Sequence, residues 1–516
     1  LGANSTGAGN VSVGAYAMQA NTTGNNNTAV GYLALDANTT ASGNVAIGKG
    51  ALTNCTTSVS NTCIGTGAGG AISTGNGENV CIGNNCAAAM TTGQQNIFIG
   101  DNCAAAAAVT GTVNTIIGDN AGYDLTTGSS NVALGAAALA NTSTGSNNVA
   151  IGYEALNAQS GNSNNVAVGG EALKQCIGGS NVAVGYRAGD SVTTGHEQTL
   201  IGYYAGASIT TGRSNISVGY ESLLSCTTGT YNCAVGYEAL RTSNGNYNVA
   251  VGHGALRYSS GTQAYNTAVG TSAMKFYTTG QYNTCVGHEA GRGHSTGSPG
   301  TGTENVFMGM GAGEDIRSAS YCTGIGRAAL REINSSENSM GLGYNAGRDA
   351  SPSGRIDTED NVICLGNNSI SDLYCADTSI SSSDSRDKTD VTNFTHGMDW
   401  VKQLRPVTYS WDKRSWYGSG IEGASDEFLG TPDGSKKKTK KHIGFLAQEV
   451  LAVEGNPTNK DDMLVVNLNC DDSAYGLKYE RLVPVLVNAL KELSTKIDTL
   501  ETENTALKAR VTTLEG

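Results

Sequence analysis

Thr227-Thr228-Gly229-Thr230-Tyr231-Asn232-Cys233-Ala234-Val235-Gly236-Tyr237-Glu238-Ala239-Leu240 is followed, one step of about 17 residues later, by Asn248-Val249-Ala250-Val251-Gly252, and the same phrase runs through most of the 516-residue chain. Its glycine returns at Gly14, Gly31, Gly48, Gly65, Gly83, Gly100, Gly118 and Gly135, and onward through Gly152, Gly202 and Gly252 to Gly287. Each glycine closes a short apolar run such as Asn148-Val149-Ala150-Ile151-Gly152. A period this short means that each repeat buries its apolar surface only against its neighbours, so the chain reads as one long solenoid and not as three or four ordinary domains. Phased glycines are tight corners; unphased, the same 71 glycines beside 6% aromatic residues would suggest disorder.

Alternation in Val149-Ala150-Ile151-Gly152 predicts a strand, with the β-branched residues pointing into the coil and the small ones outward. A second short strand is expected over the Ala-Leu pair. Small residues on an outward face imply that another backbone comes close, which predicts coils packed around a shared axis, hence a homotrimer. The Asn that opens each strand is placed to form a stacked side-chain ladder, and Thr-Thr-Gly supplies turns. The beat loosens after Gly287, with an inserted loop from His288 to Glu304 and a longer step from Gly343 to Gly366.

Net charge of −13 argues against a nucleic-acid partner. No charged-then-apolar leader and no apolar run near 20 residues are present, so no membrane insertion is expected. Several of the 13 cysteines stand where other rungs carry Ala, as at Cys63, Cys81 and Cys285, and read as small buried hydrophobes. A bridge between Cys86 and Cys103 is sterically conceivable but not the preferred reading. No pair of cysteines has metal spacing and the six histidines are scattered, so neither a metal nor a cofactor is expected. Tyr32, Tyr153, Tyr186, Tyr203, Tyr220 and Tyr237 follow rung glycines; packing between adjacent rungs is preferred over stacking on sugar rings. Glu154, Glu171, Glu221 and Glu238 repeat too regularly to supply one distinct acid and one distinct base, and read as a solvated face. Lys436 to Lys441 reads as a solvated loop.

The rungs stop near Asn368, and beyond Asp384 charge density rises and all three tryptophans appear. The expected organisation is a repeat shaft over 1–368, a junction over 369–382, a small α/β domain over 383–480 and a trimeric coiled coil over 481–516. The coil rests on two heptad columns: Leu493, Leu500, Leu507 and Leu514, beside Leu490, Ile497, Asn504 and Val511. At the junction, Ser383 stands five residues before Lys388, and a desolvated lysine can take a serine proton.

Three blocks give that spacing a context: Ser383-Asp384-x-Arg386-x-Lys388; His442-Ile443-Gly444-Phe445-Leu446-Ala447-Gln448-Glu449-Val450; and Tyr479-x-x-Leu482-Val483-Pro484-Val485-Leu486-Val487-Asn488-Ala489-Leu490-Lys491-Glu492-Leu493. Together they resemble the C-terminal intramolecular chaperone of phage tailspikes and tail fibres, an autoproteolytic family with a Ser-Lys dyad. The resemblance implies a mainly β, trimeric parallel β-solenoid followed by a chaperone that aligns three chains and then cuts itself off. Ser383 would be the nucleophile and Lys388 the general base of a serine endopeptidase acting once in cis, cutting just before Ser383. It further implies a virion protein made in the host cytoplasm, joined to other virion proteins through an amino-terminal anchor and binding a host-cell surface receptor, possibly a glycan. The rungs also resemble, more loosely, the β-roll heads of trimeric autotransporter adhesins. A cell-surface adhesin and a fibre-borne polysaccharide depolymerase are the alternative readings.

Overall fold

The computed structural model describes residues 2–515 apart from 76, 159–160, 260, 262, 295–298, 371–385, 387, 415–416, 418–430 and 469–474. The chain divides into two compact units, Leu1–Cys322 and Thr323–Gly516. In the first, three-residue strands from β1 (Val11–Val13) to β18 (Val306–Met308) each pair in parallel with the next in sequence. The register is residue for residue one rung on: in β9 (Val149–Ile151) and β10 (Val166–Val168), Ala150 lies beside Ala167. The fold is a parallel β-solenoid built from rungs of about 17 residues.

The glycine at the end of each strand explains why the period is visible. Gly152 has φ +135°, and a Cβ added there would lie 2.5 Å from the carbonyl oxygen of Gly169 in the next rung. Only glycine combines that backbone angle with that approach. The asparagine ladder forms as expected. Asn148, fully buried, takes its backbone N–H to Asn131 Oδ1 at 3.0 Å, donates its side-chain amide to the same oxygen at 3.1 Å and to Asn162 O at 3.1 Å, and accepts from Asn165 N–H at 3.0 Å. Every rung thus satisfies a polar group that its neighbour would otherwise bury unpaired.

Two expectations are corrected. The strands face the other way: Ala150 is fully buried while Val149 and Ile151 are partly exposed, and the same pattern holds in every first-unit strand after β1. The coil is too narrow for a β-branched central residue in most rungs, because the corner that follows supplies the bulk, as Ala155 and Leu156 do against Ala150. Where the centre is larger the corner gives up its side chain. A Cβ on Gly313 would lie 2.7 Å from the Phe307 ring, one on Gly122 2.7 Å from Ile116, and one on Gly206 2.8 Å from Leu200.

The Ala-Leu pair is also not a strand. Glu154 and Leu156 take left-handed angles, φ +52° and +50°, on either side of Ala155. The result is a corner that closes on itself through Ala155 N to Gly152 O and still bonds the next rung through Leu156 N to Ala172 O at 3.0 Å.

The second unit opens with three more parallel rungs, β19 (Thr323–Ile325), β20 (Met340–Leu342) and β21 (Ile363–Leu365). Beyond them come α1 (Met398–Val401), the antiparallel pair β22 (Val407–Tyr409) and β23 (His442–Gly444), α2 (Ala447–Val453), the antiparallel pair β24 (Val466–Leu468) and β25 (Tyr475–Leu477), and α3 (Leu482–Glu515). Trp400, Val450, Met463, Val465, Val466, Leu482 and Val485 form one core. Among the described residues no helix is long and apolar enough to cross a membrane.

Candidate functional site

Reversed strands give the shaft an unexpected surface. With Ala inside, the β-branched flank of each strand points out, and Val132, Leu134, Val184, Ile201, Ile216 and Val286 are more than a third exposed. The third residues of successive in-register strands, as in Val184, Ile201, Val218, Val235 and Val251, lie side by side and form a continuous apolar row along the solenoid, while the first residues mix apolar side chains with Thr.

Tyrosines flank that row. Tyr203, Tyr220, Tyr237 and His253 stack at 5.0 to 5.3 Å between ring centroids with planes within 7°. Tyr231, Tyr247, Tyr265 and Tyr282 form a second ladder at 4.9 to 5.0 Å. Rings at this spacing cover each other's faces, which leaves no room between them for a sugar; the rung-packing reading describes them.

The glutamates differ from expectation. They are not a solvated face: Glu238 is 5% exposed and pairs with Arg257 at 2.7 Å and Arg241 at 3.3 Å. Glu221 pairs with Arg241 at 2.8 Å and Glu171 with Arg187 at 3.0 Å. The corner tucks these carboxylates against the neighbouring rung, and a cation from the next turn meets each one. None of the described cysteines is in a disulfide and nearly all are buried; Cys86 and Cys103 are not bridged, and Cys233, on the outward flank, is partly exposed. Burial pushes the Cys176 and Cys226 thiols up to about 11. Among the described residues no cluster of three His, Cys, Asp or Glu side chains is placed to hold a metal ion.

In the second unit Ser383 lies outside the described residues, as does Trp416. Lys388 is described and exposed, on a segment with neither helix nor strand that runs to Thr395. That segment is caught immediately afterwards. Asn488 of α3 donates its side-chain amide to Phe394 O at 2.7 Å and to His396 O at 3.2 Å, and Glu492 accepts from Met398 N–H at 3.2 Å. Gly397 sits so close to α3 that a Cβ would lie 2.9 Å from Ala489 N. His396 stacks on the buried Trp400 at 4.8 Å, and its Nδ1 is 3.0 Å from Asp399. These contacts join positions some 94 residues apart, which local sequence patterns do not reach.

The second quoted block folds around Tyr479 of the third. His442 pairs with Tyr409 across β22 and β23, and Phe445 N–H donates to Tyr479 Oη at 3.1 Å. Glu454, just after α2, accepts from Leu464, Val465 and Val466 N–H at 2.6 to 3.1 Å and ties α2 to β24. Lys436 to Lys441 are exposed, with Lys436 over the Tyr417 ring at 5.3 Å. Along α3 the heptad columns face solvent: Leu490, Leu493, Ile497, Leu500, Leu507, Val511 and Leu514 are all exposed.

Residues 383–458 match the chaperone of endosialidase. The match opens on Ser383 and closes just beyond α2, so it takes in the first two of the three sequence blocks and leaves the Tyr479 block and the coil outside. The family that this segment resembles is the C-terminal intramolecular chaperone of phage tailspike and fibre proteins. No curated protein and no solved structure matches the chain. A β-solenoid followed by the chaperone domain fits a protein of the tail-fibre or tailspike type.

Proposed function

We propose that the chain is a phage tail fibre or receptor-binding fibre, a virion component that attaches to the host surface as a homotrimer and is assembled by a self-cleaving chaperone. The observation that carries this reading is the chaperone match beginning at Ser383, directly after a repeat solenoid. Two surfaces support the trimer. One is the apolar row along the shaft, where fully burying a Val, Leu or Ile contributes roughly 1.5–3 kcal/mol. The other is the exposed heptad seam of α3, which has the spacing of a helix that packs against copies of itself.

Self-cleavage then assigns Ser383 as nucleophile and Lys388 as general base. Ser383 Oγ attacks the carbonyl carbon of Ser382; the new C–O bond forms as the C–N bond breaks, and Lys388 carries the hydroxyl proton to the departing Ser383 amine. Water hydrolyses the ester, restoring the hydroxyl and leaving a carboxylate on Ser382. A lysine serves as base only when desolvated. Lys388 is exposed in the single chain, so the competent state is an assembled one in which neighbouring chains cover it.

Expression of the wild type and Ser383→Ala side by side tests the reading. A denaturing gel should show two fragments, 1–382 and 383–516, for the wild type and one full-length band for the variant; light scattering should give a trimer mass for both. Identical full-length bands refute cleavage, and a monomer mass refutes the assembly.

A further inference from the structure

The strand face of the shaft ends on each side in a column of exposed residues. In the rung of β15 (Val249–Val251), Tyr247 stands just before the buried Asn248 and His253 just after Gly252; in the rung of β16 (Thr267–Val269), Tyr265 and Thr271 hold the same two places. Residues 247, 249, 251 and 253 alternate onto the outward side, so the face runs from column to column over six residue steps, at most about 20 Å. From β1 to β18 no outward strand residue is charged, and the third residue of every strand is Val, Ile, Leu or Met.

We propose that copies of the chain meet along these columns, the column after the glycine in one copy lying against the column before the asparagine in the next, around a threefold axis along the strand face. The proposal rests on the trimer reading above and names the surface that makes the trimer. Three faces about 20 Å wide enclose a triangle whose sides stand about 6 Å from its axis. Side chains fill about 5 Å on each side where sheets pack about 10 Å apart, so three apolar rows close the centre. Four such faces would stand about 10 Å from the axis and leave an open channel.

Charge and area agree with this packing. A rotation axis brings equal rungs together, and in the first unit every charged member of one column then meets an uncharged member of the other: Asp101 lies against Gln95, Asn84 against Glu78 and Tyr203 against Glu197. In the rungs of β14 (Cys233–Val235) and β15 both columns are aromatic, so Tyr237 and His253 of one copy meet Tyr231 and Tyr247 of the next; tyrosine is enriched at such contacts. The rungs of β1 to β18, at about 4.8 Å each, give about 1,700 Å² of face per chain, against roughly 800 Å² per partner in a stable complex.

Paired cysteines test the arrangement. The two columns of one chain are about 20 Å apart, whereas a disulfide needs Cα atoms within about 7 Å, so a bridge between columns joins different chains. The full chain is made with Cys233→Ser, which removes the partly exposed native thiol, and with either Tyr247→Cys and His253→Cys or Tyr265→Cys and Thr271→Cys. After mild oxidation by a small-molecule disulfide, a non-reducing denaturing gel should show most chains linked in threes for either pair and almost none for the single variants. An offset pair, Tyr247→Cys with Thr271→Cys, stands one rung out of step and should link far less. A trimer mass by light scattering with neither pair linked overturns the proposal while the trimer reading stands, as does stronger linking in the offset pair. Should one pair fail to trimerise, the other decides. A monomer mass for the wild type overturns the trimer reading and the proposal with it.

Discussion

Replacing Asn148 by Leu removes three side-chain hydrogen bonds from the interior of a rung: two donated, to Asn131 Oδ1 and Asn162 O, and one accepted from Asn165 N–H. Asn131 Oδ1 keeps a partner in the Asn148 backbone, so the heaviest loss falls on Asn165 N–H, buried with nothing to accept from it. One stranded buried donor costs about 1–3 kcal/mol and each of the other two bonds about 0.5–1.5, giving a loss of about 2–6 kcal/mol. Asn148→Asp isolates the donors: it retains the acceptor for Asn165 but turns oxygen toward oxygen at Asn131 and Asn162. As a control, Asn84 is exposed and bonds only Asp101 across the rung at 3.1 Å, so Asn84→Ala should cost under about 0.5 kcal/mol. In a solenoid, stability is a sum of rung and neighbour terms, so the damage should stay local. Hydrogen exchange on the intact fibre is the assay. Amides of β9 and its neighbours β8 (Val132–Leu134) and β10 should exchange at least about 25-fold faster in Asn148→Leu, at about 1.4 kcal/mol per tenfold, while distant rungs keep wild-type protection. A change below tenfold, or one spread evenly along the shaft, would refute the ladder as a source of stability.

Two further outcomes follow from the same rungs. The Lys174 ammonium beside Glu154 holds its carboxyl below the usual range; for Glu221 burial is the largest single influence and pushes up, but the hydrogen bonds from Arg241 and Tyr220 and the charges of Arg241 and Arg257 together outweigh it and leave the group lowered. A lowered folded-state pKa contributes stability that is present above the unfolded value of about 4.3 and lost as pH falls through the folded one; shaft stability should therefore be flat from pH 8 to 5 and decline below about pH 4, as read by circular dichroism. Cys176 and Cys226, buried and with their thiols pushed up to about 11, should resist a maleimide at pH 7 in the folded fibre and react once it is unfolded in guanidinium; rapid labelling of the native form would contradict their burial.

The strand positions were legible because a backbone constraint, glycine at positive φ pressed on the next rung, leaves only one residue type. Which face is buried was not, since Val-Ala-Ile reads identically under either orientation and a period of two does not say which set points in. Ala-Leu read as a strand because a leucine at φ +50° is locally unfavourable, and only the rung-to-rung bond to Ala172 holds Leu156 there. The exchange of volume between strand centre and corner, as in Phe307 with Gly313, was present in the sequence as a gain at one position matched by a loss six residues on. The Ser383 and Lys388 motif was legible only as a motif. The contacts of α3 with residues 394–398 left one faint signal, a polar pair at positions 488 and 492 on the side of the helix away from its seam.

Reversing the faces strengthens the trimer reading while replacing its reason. Small residues pointing outward would have invited close backbone contact. Instead the row is Val, Ile and Leu, and a continuous exposed apolar surface is of the kind that an interface covers. Such an interface carries a defect of its own. Val149 and Val166 are alike, as are Ile151 and Val168, so sliding one chain by a rung of about 4.8 Å trades nearly equal contacts and loses only those at the ends. Hydrophobic burial along the shaft can therefore drive association without choosing the register. A feature that occurs once per chain has to choose it, and the heptads of α3 with Asn504 in one column are such a feature. A register-setting helix is needed only until the shaft has closed, because separating three closed solenoids then requires breaking every rung contact at once. That asymmetry, essential during assembly and dispensable after it, would give the proposed cut before Ser383 its physical reason to stand after the last rungs.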